Sequence, residues 1–161
     1  MIREALEKDC INLAALSLEV WFSTYALNGI YSDASRYAIA TFTEEKFQDI
    51  LSESKYKLLV CVEDDYLRGY VLLNFESFYD DQSNGFEIDK LYVQSPFQGK
   101  GIGASLLSEV RKRYGEKFWL HSWVENKSID FYKKYGFKDI GRYDFILGDE
   151  AFENRVLCFS V

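Results

Sequence analysis

The chain has 161 residues, an ordinary length for one domain, and 48% of them are hydrophobic and 17% aromatic. This composition excludes a disordered chain, and no stretch approaches the roughly 20 apolar residues of a membrane span. A formal net charge of −7 argues against non-specific nucleic-acid binding and is compatible with a cationic partner. We therefore expect one domain over 1–161 that binds neither nucleic acid nor membrane.

The cysteines and the single histidine give little scope for a metal site. Cys10, Cys61 and Cys158 are odd in number, far apart and mostly in apolar surroundings, which is typical of reduced core thiols. His121 stands alone in a strand-like segment, and the N-terminal segment lacks the apolar core of a signal peptide. These features predict a cytoplasmic protein with no bound metal.

The first half of the chain is predicted to contain a strand, two helices and a meander. Residues 2–6 alternate as a strand does, and apolar residues at helical spacing predict a helix over 9–25. The polar segment 31–37 interrupts that helix, and Thr43 should cap a second one. The strands "KLLVCVE", "LRGYVLLNFESF" and "FEIDKLYV" are joined by short turns, the first of them at Asp64 and Asp65, and should pair antiparallel.

The second half alternates helices with strands. Ile102, Leu106 and Val110 mark an amphipathic helix, and "FWLHSWV" is a strand. The short helix "SIDFYKKY" should stop at Gly136, before the closing strands "FKDIGRYDFIL" and "NRVLCFSV". The predicted order is β-α-α-β-β-β-α-β-α-β-β, an α/β fold with a mixed, mostly antiparallel central sheet flanked by helices.

Three glycines at alternate positions, Gly99, Gly101 and Gly103, stand between a predicted strand and a predicted helix. Glycine permits positive φ and removes the Cβ atoms that keep a ligand off backbone N–H groups. Such groups at a helix N-terminus bind phosphate oxygens, and Lys100 adds a cation. A phosphate ligand is therefore predicted here; a loop that needed only flexibility is the alternative.

Two common nucleotide-binding loops do not fit this segment. Gly99, Gly101 and Ala104 formally satisfy G-x-G-x-x-G/A, but Gly99 lies six residues after Val93 and the preceding strands read as antiparallel. A dinucleotide loop follows its strand at once in a parallel unit. No G-x-x-x-x-G-K-[ST] segment is present either.

The pattern Q-x-x-G-x-G fits at Gln98, Gly101 and Gly103. With this pattern, the downstream segment "FYKKYGF" and the element order, the sequence resembles the GNAT family of acetyl-CoA-dependent N-acetyltransferases over nearly its whole length. The phrases "WLHSWVENKSIDFYKKYGF" and "FILGDE" look most like the bacterial spermidine/spermine acetyltransferases of that family.

The resemblance implies acetyl-CoA as co-substrate. Leu91, Tyr92 and Val93 would pair with its pantetheine arm as an extra strand does, because a splayed strand exposes unpaired backbone groups. The pyrophosphate would be held by the backbone N–H groups of residues 98–104, which are Gln98, Gly99, Lys100, Gly101, Ile102, Gly103 and Ala104.

Asn126 is a further CoA contact that the resemblance implies. The family's asparagine usually lies seven residues before its catalytic tyrosine, where this chain has Glu125. Counted from Trp123, however, Asn126 has the place of the asparagine in the polyamine enzymes. A loop shortened by one residue explains both counts.

Tyr132 and Glu87 are the implied catalytic residues. Tyr132 would protonate the departing CoA thiolate, which suits a phenol of pKa about 10 and a thiol of about 8.5. Glu87 stands eleven residues before Gln98, where several family members carry their general base. A carboxylate of pKa about 4.3 cannot take a lysine-like proton fully, so Glu87 should hold the ammonium and pass its proton through water. A packed aromatic and a solvated carboxylate are the alternatives.

The acceptor is expected to be a primary amine, with spermidine or spermine favoured by the acidic charge and the C-terminal phrases. Strand alternation places Asp89 and Leu91 on the face of Glu87. A protein N-terminus, a lysine or an aminoglycoside-like amine is the alternative, as is a non-catalytic acyl-CoA sensor, and a homodimer is left open. Further candidates for the acceptor pocket, which are not assigned a catalytic or cofactor-binding role, are Trp21, Phe22, Tyr25, Tyr31, Asp80 and Asp81.

Overall fold

The computed structural model describes all 161 residues, which form a seven-stranded sheet with helices on both faces. The helices are α1 (Cys10–Tyr25), α2 (Ser32–Thr41), α3 (Glu44–Ser52), α4 (Ile102–Tyr114) and α5 (Ser128–Tyr135). The strands are β1 (Ile2–Glu4), β2 (Tyr56–Glu63), β3 (Tyr66–Asn74), β4 (Phe86–Val93), β5 (Lys117–Trp123), β6 (Lys138–Leu147) and β7 (Glu150–Ser160).

The sheet has the order β1-β2-β3-β4-β5-β7-β6. All neighbouring strands are antiparallel except β4 and β5, which are parallel. The predicted α/β fold with a mixed, mostly antiparallel sheet is confirmed. The predicted meander of β2, β3 and β4 is confirmed too, and its first turn has positive φ at Asp64 and Asp65.

The chain contains one helix more than the sequence predicts. The segment expected to be a polar interruption forms α2, directly after which Thr43 caps α3 by accepting a hydrogen bond from the Lys46 N–H at 3.1 Å. Ala34 and Ala38, four residues apart, are fully buried. Because these small side chains are its only buried residues, α2 packs closely while its polar faces conceal the helical pattern.

Two apolar cores lie on opposite faces of the sheet. The α1 cluster, around Leu13, Trp21, Phe47 and Tyr70, lies under α1, α2 and α3. The α4 cluster includes residues of the last two helices, such as Leu106, Leu107, Val110 and Tyr132. Any side chain of the central strands can therefore be assigned to a face by the cluster it joins.

A β-bulge in β4 changes which side chains share a face. Leu72 of β3 opposes Lys90 and Leu73 opposes Ile88, so Asp89 is an extra residue in β4. Ile88 belongs to the α4 cluster and Leu91 packs against it, whereas Tyr92 packs against the α1 cluster. The expectation that Leu91 shares the face of Glu87 is therefore wrong, because the extra residue shifts the alternation by one.

Candidate active site

The gap between β4 and β5 is the central feature of the site. The two strands pair only at Phe86 with Phe118 and at Glu87 with Trp119, and they diverge after that. β5 continues in register with β7 along its whole length, so the other edge of β5 is covered. One side of β4 is therefore left without a strand partner from residue 88 to 93.

Backbone groups of β4 face this gap. The Gln94 N–H donates to the Arg68 carbonyl at 2.9 Å on the β3 side. Because bonded residues alternate in an antiparallel pair, Tyr92 also bonds β3, while the N–H and C=O groups of Leu91 and Val93 point into the gap. The Val93 carbonyl accepts from Gln98 Nε2 at 2.8 Å. The remaining groups are free to pair with an extended ligand.

Residues 98–104, here called the glycine loop, follow the open end of β4 and contain unpaired N–H groups. No N–H group of residues 99–104 donates to a backbone acceptor of the protein, whereas the Gln98 N–H donates to the Ser95 carbonyl at 3.3 Å. Gly99 and Gly101 have φ of +75° and +89°, and a Cβ on either would meet no atom within 4 Å. The donors thus border open space, as an anion site requires, and begin one residue later than expected.

Two cationic side chains stand beside the loop. The Lys100 Nζ lies 5.6 Å from the centroid of the Phe97 ring, and the Arg68 guanidinium carbon lies 4.4 Å from it. Arg68 Nη1 donates to Glu63 Oε2 at 2.9 Å, so Lys100 is the cation whose charge adds to the positive end of the α4 dipole.

The third glycine has a packing role. Gly103 is helical, and a Cβ there would lie 3.3 Å from the Phe131 Cζ of α5. A side chain at this position would push α5 away from the first turn of α4. Gly103 therefore helps to fix the position of Tyr132, the neighbour of Phe131.

Tyr132 is buried, and its ring packs against Phe131 and Phe137 at centroid distances of 5.3 Å each. Burial raises the pKa of Tyr132, Tyr25 adds to the effect, and no hydrogen bond opposes it. The phenol is therefore protonated at neutral pH, with its hydroxyl unengaged by the protein.

Glu87 occupies the last position of β4 that is paired with β5. Burial raises the pKa of Glu87 to about 7; Asp89 adds to the shift, and the Ser77 side chain and Lys90 oppose it. From the sequence alone, Glu87 would have the ordinary glutamate pKa of about 4.3. The raised pKa means instead that Glu87 can accept and release a proton near neutral pH.

Charged and aromatic side chains line the α1 face next to Glu87. Lys90 Nζ forms an ion pair with Asp89 Oδ1 at 2.8 Å. His121 of β5 stacks near Tyr143, with ring centroids 4.5 Å apart, and burial lowers the pKa of His121 against an opposing effect of Asp89. Sequence reasoning set His121 aside, although alternation along β5 places it on the face of Trp119 and Trp123.

The candidate acceptor residues have different surroundings. Tyr25 stacks on Trp123 at 5.4 Å, and burial raises the pKa of Tyr25 to about 12. Trp21 is buried in the α1 cluster, and Phe22 and Tyr31 pack against that cluster. Asp80 and Asp81 are exposed, and Asp81 Oδ1 accepts from the Ser83 N–H at 2.6 Å. Of these residues, only Tyr25 contributes to the raised pKa of Tyr132.

Asn126 begins α5. Its Oδ1 accepts from the Ser128 N–H at 2.9 Å, and its backbone carbonyl accepts from the Ile129 N–H at 3.2 Å. The side-chain amide Nδ2 is left without a protein acceptor. Elsewhere, no group of three or more His, Cys, Asp or Glu side chains is arranged to hold a metal, and no helix has the length and apolarity to cross a membrane.

Comparison with known proteins agrees with this geometry. The model of the acetyltransferase (GNAT) family matches residues 24–137. An uncharacterised N-acetyltransferase encoded in the pepI 3′ region of Lactobacillus delbrueckii subsp. lactis is 26% identical over 156 residues, covering 92% of this chain and 90% of that protein.

Solved structures share the fold. The PaiA N-acetyltransferase of Thermoplasma acidophilum, in complex with coenzyme A, has a TM-score of 0.75 at 24% identity and covers 96% of both chains. YncA of Salmonella typhimurium, a putative acetyltransferase solved with acetyl-CoA, has a TM-score of 0.67 at 20% identity, covering 99% of this chain and 92% of that one. The family match spans most of this chain, so the protein belongs to the GNAT family and is an acetyl-CoA-dependent N-acetyltransferase.

Proposed function

We propose that the protein acetylates a small primary amine that arrives as a cation, with polyamines such as spermidine and spermine as the acceptor class. The observation that carries this proposal is Glu87, a carboxyl group with a pKa of about 7 at the point where β4 and β5 separate. Asp89 lies close enough to raise that pKa, but its Oδ1 is paired with Lys90 Nζ at 2.8 Å, so Glu87 is the carboxyl group left free to meet a cationic amine. Aromatic rings such as Tyr25 and Trp123 favour a cation further.

Acetyl-CoA fits the glycine loop and the open edge of β4. In this proposal the N–H groups of residues 99–104 bind the pyrophosphate, and Lys100 adds a positive charge. Leu91 and Val93 pair with the pantetheine arm, and the free Nδ2 of Asn126 donates to it. When bound, acetyl-CoA supplies the thioester that the amine attacks.

Glu87 serves as the proton acceptor in this scheme. A lysine-like amine has a pKa of about 10.4, so the proton must leave before the nitrogen can attack. A carboxylate of pKa about 7 is a stronger base than an ordinary glutamate, and it is still largely ionised at the pH of the cytoplasm. Glu87 takes the proton directly or through one water.

Tyr132 and the Val93 N–H act on the thioester. The Val93 N–H points into the gap and donates to the oxygen on which negative charge develops. Tyr132 holds the proton that the departing sulfur requires, because its buried phenol is neutral and its hydroxyl is unengaged. Three unpaired cysteines support a location in the reducing cytoplasm.

Substituting Gly101 tests the phosphate site. We expect Gly101→Ala to raise the Kd for coenzyme A about tenfold or more, because alanine at φ +89° costs roughly 1–2 kcal/mol and turns the N–H groups from the ligand. Gly115→Ala is the matched control: Gly115 has φ +126°, lies at the other end of α4 and also has open space around it. Isothermal titration calorimetry measures both; equal losses of affinity would contradict the assignment.

Tyr132→Phe tests the proton donor. We expect kcat to fall about 10²- to 10³-fold with an unchanged Kd for coenzyme A, because only the hydroxyl is lost. Tyr135→Phe removes a hydroxyl one turn away on the same helix and should keep kcat within about twofold. Steady-state rates of CoA release decide, and a full rate in Tyr132→Phe would exclude this role.

Glu87 should set the acidic limb of the pH profile. The carboxylate must be ionised to accept a proton, so kcat/KM should fall about tenfold per pH unit below about pH 7. Glu87→Gln should lower kcat/KM at pH 7.5 by about 10²-fold and remove that limb. The exposed Glu76→Gln variant should keep the parent profile. A limb that survives in Glu87→Gln belongs to another group.

An amine panel tests the acceptor. Spermidine and spermine should turn over with higher kcat/KM than butylamine, since carboxyl groups of the acidic chain attract the additional ammonium groups. The panel also contains an aminoglycoside, a lysine peptide and a peptide with a free N-terminus, and CoA release is the readout. Turnover of one of these, with polyamines at the background rate, would refute the polyamine assignment while leaving acetyl transfer intact.

A further inference from the structure

β6 ends the sheet and leaves a long edge open. It has ten residues and pairs only with β7. Three of its large apolar side chains are exposed: Ile140 by 41%, Tyr143 by 50% and Ile146 by 61%. Proteins usually cover or disrupt such an edge, because its free backbone groups and apolar side chains recruit another strand.

The backbone groups on the open side can be identified from the neighbouring ladder. The Val124 N–H donates to the Glu153 carbonyl at 2.9 Å, so the backbone groups of Glu153 face β5. By alternation those of Asn154 face β6, where its partner is Tyr143. The N–H and C=O groups of Arg142, Asp144 and Ile146 therefore point away from β7.

We infer that β6 pairs antiparallel with β6 of a second copy, around a two-fold axis that passes beside Tyr143. In this register Arg142 lies opposite Asp144 of the partner subunit, and the relation is reciprocal. Ile140 lies opposite Ile146 of the partner subunit. The backbone groups of Arg142 and Asp144 point outward. The same register therefore allows backbone hydrogen bonds between the two strands and places opposite charges across from each other.

The charge pattern favours self-association over protection of the edge. A charged edge strand repels a second copy where like charges would lie opposite each other. Here Arg142 Nε donates to Asp144 Oδ1 at 2.9 Å and Nη2 donates to Oδ2 at 3.2 Å, so opposite charges stand two residues apart on one strand. That spacing is self-complementary under two-fold symmetry. It supplies local attraction between two copies that each carry a net charge of −7.

A bulge between Asp139 and Gly141 ends the regular edge and sets the length of the paired segment. Tyr143, beside the two-fold axis, stacks near His121 of its own subunit.

Charge reversal and restoration test this interface. The parent should sediment as a particle of twice the 18.8 kDa chain mass at micromolar concentration. Arg142→Asp places like charges opposite each other at two symmetric positions and should weaken the dimer about tenfold or more. The double variant Arg142→Asp/Asp144→Arg restores both pairs, within and between copies, and should restore the dimer.

A second variant addresses the backbone. Asp144→Pro removes an outward N–H group without touching the β7 ladder, so it should yield a folded monomer. Circular dichroism and thermal unfolding of each variant verify the fold. A monomeric parent, or a dimer that withstands both Arg142→Asp and Asp144→Pro, would overturn the inference, since the edge would then be free or another face would join the copies.

Discussion

The separation of β4 from β5 after two residue pairs is the constraint on which the site depends. β5 follows β7, whereas the bulge at Asp89 bends β4, so the two parallel strands cannot stay in register. The resulting gap exposes backbone groups of Leu91 and Val93 within an otherwise paired sheet. It also begins directly after Glu87, the last residue of β4 that is paired with β5.

Segments from different parts of the chain surround the gap. The glycine loop follows the open end of β4, and Gly103 lets Phe131 of α5, the neighbour of Tyr132, approach the first turn of α4 closely. Charged and aromatic residues of the α1 face reach it from the other side. Tyr25 belongs to that face, yet it affects the pKa of Tyr132, which belongs to the α4 cluster. We propose that the cofactor and the acceptor amine meet at this gap.

Features that are uncompensated within the protein collect at this gap. Unpaired N–H groups in residues 99–104, open backbone groups on β4 and a half-buried carboxyl group with a raised pKa each weaken the isolated fold. Elsewhere the two cores are closely packed, and the long β6–β7 ladder is interrupted only by the bulge between Asp139 and Gly141. The concentration of such features in one place is what distinguishes a ligand site from ordinary loop irregularity.

The sequence by itself determined the strand order of the meander, the cap at Thr43, the glycine loop and the identity of Glu87 and Tyr132 as candidates. These follow from local rules of periodicity, capping and spacing, or from a resemblance carried by contiguous motifs. Only the tertiary structure decided that residues 32–41 form α2, that Leu91 faces away from Glu87 and that Gly103 serves packing. Each of these depends on contacts between segments far apart in the chain: the burial of two alanines, a bulge set by the partner strand, and a ring on another helix. The pKa of Glu87 belongs to the same group, because burial by distant residues, and not the residue type, sets it.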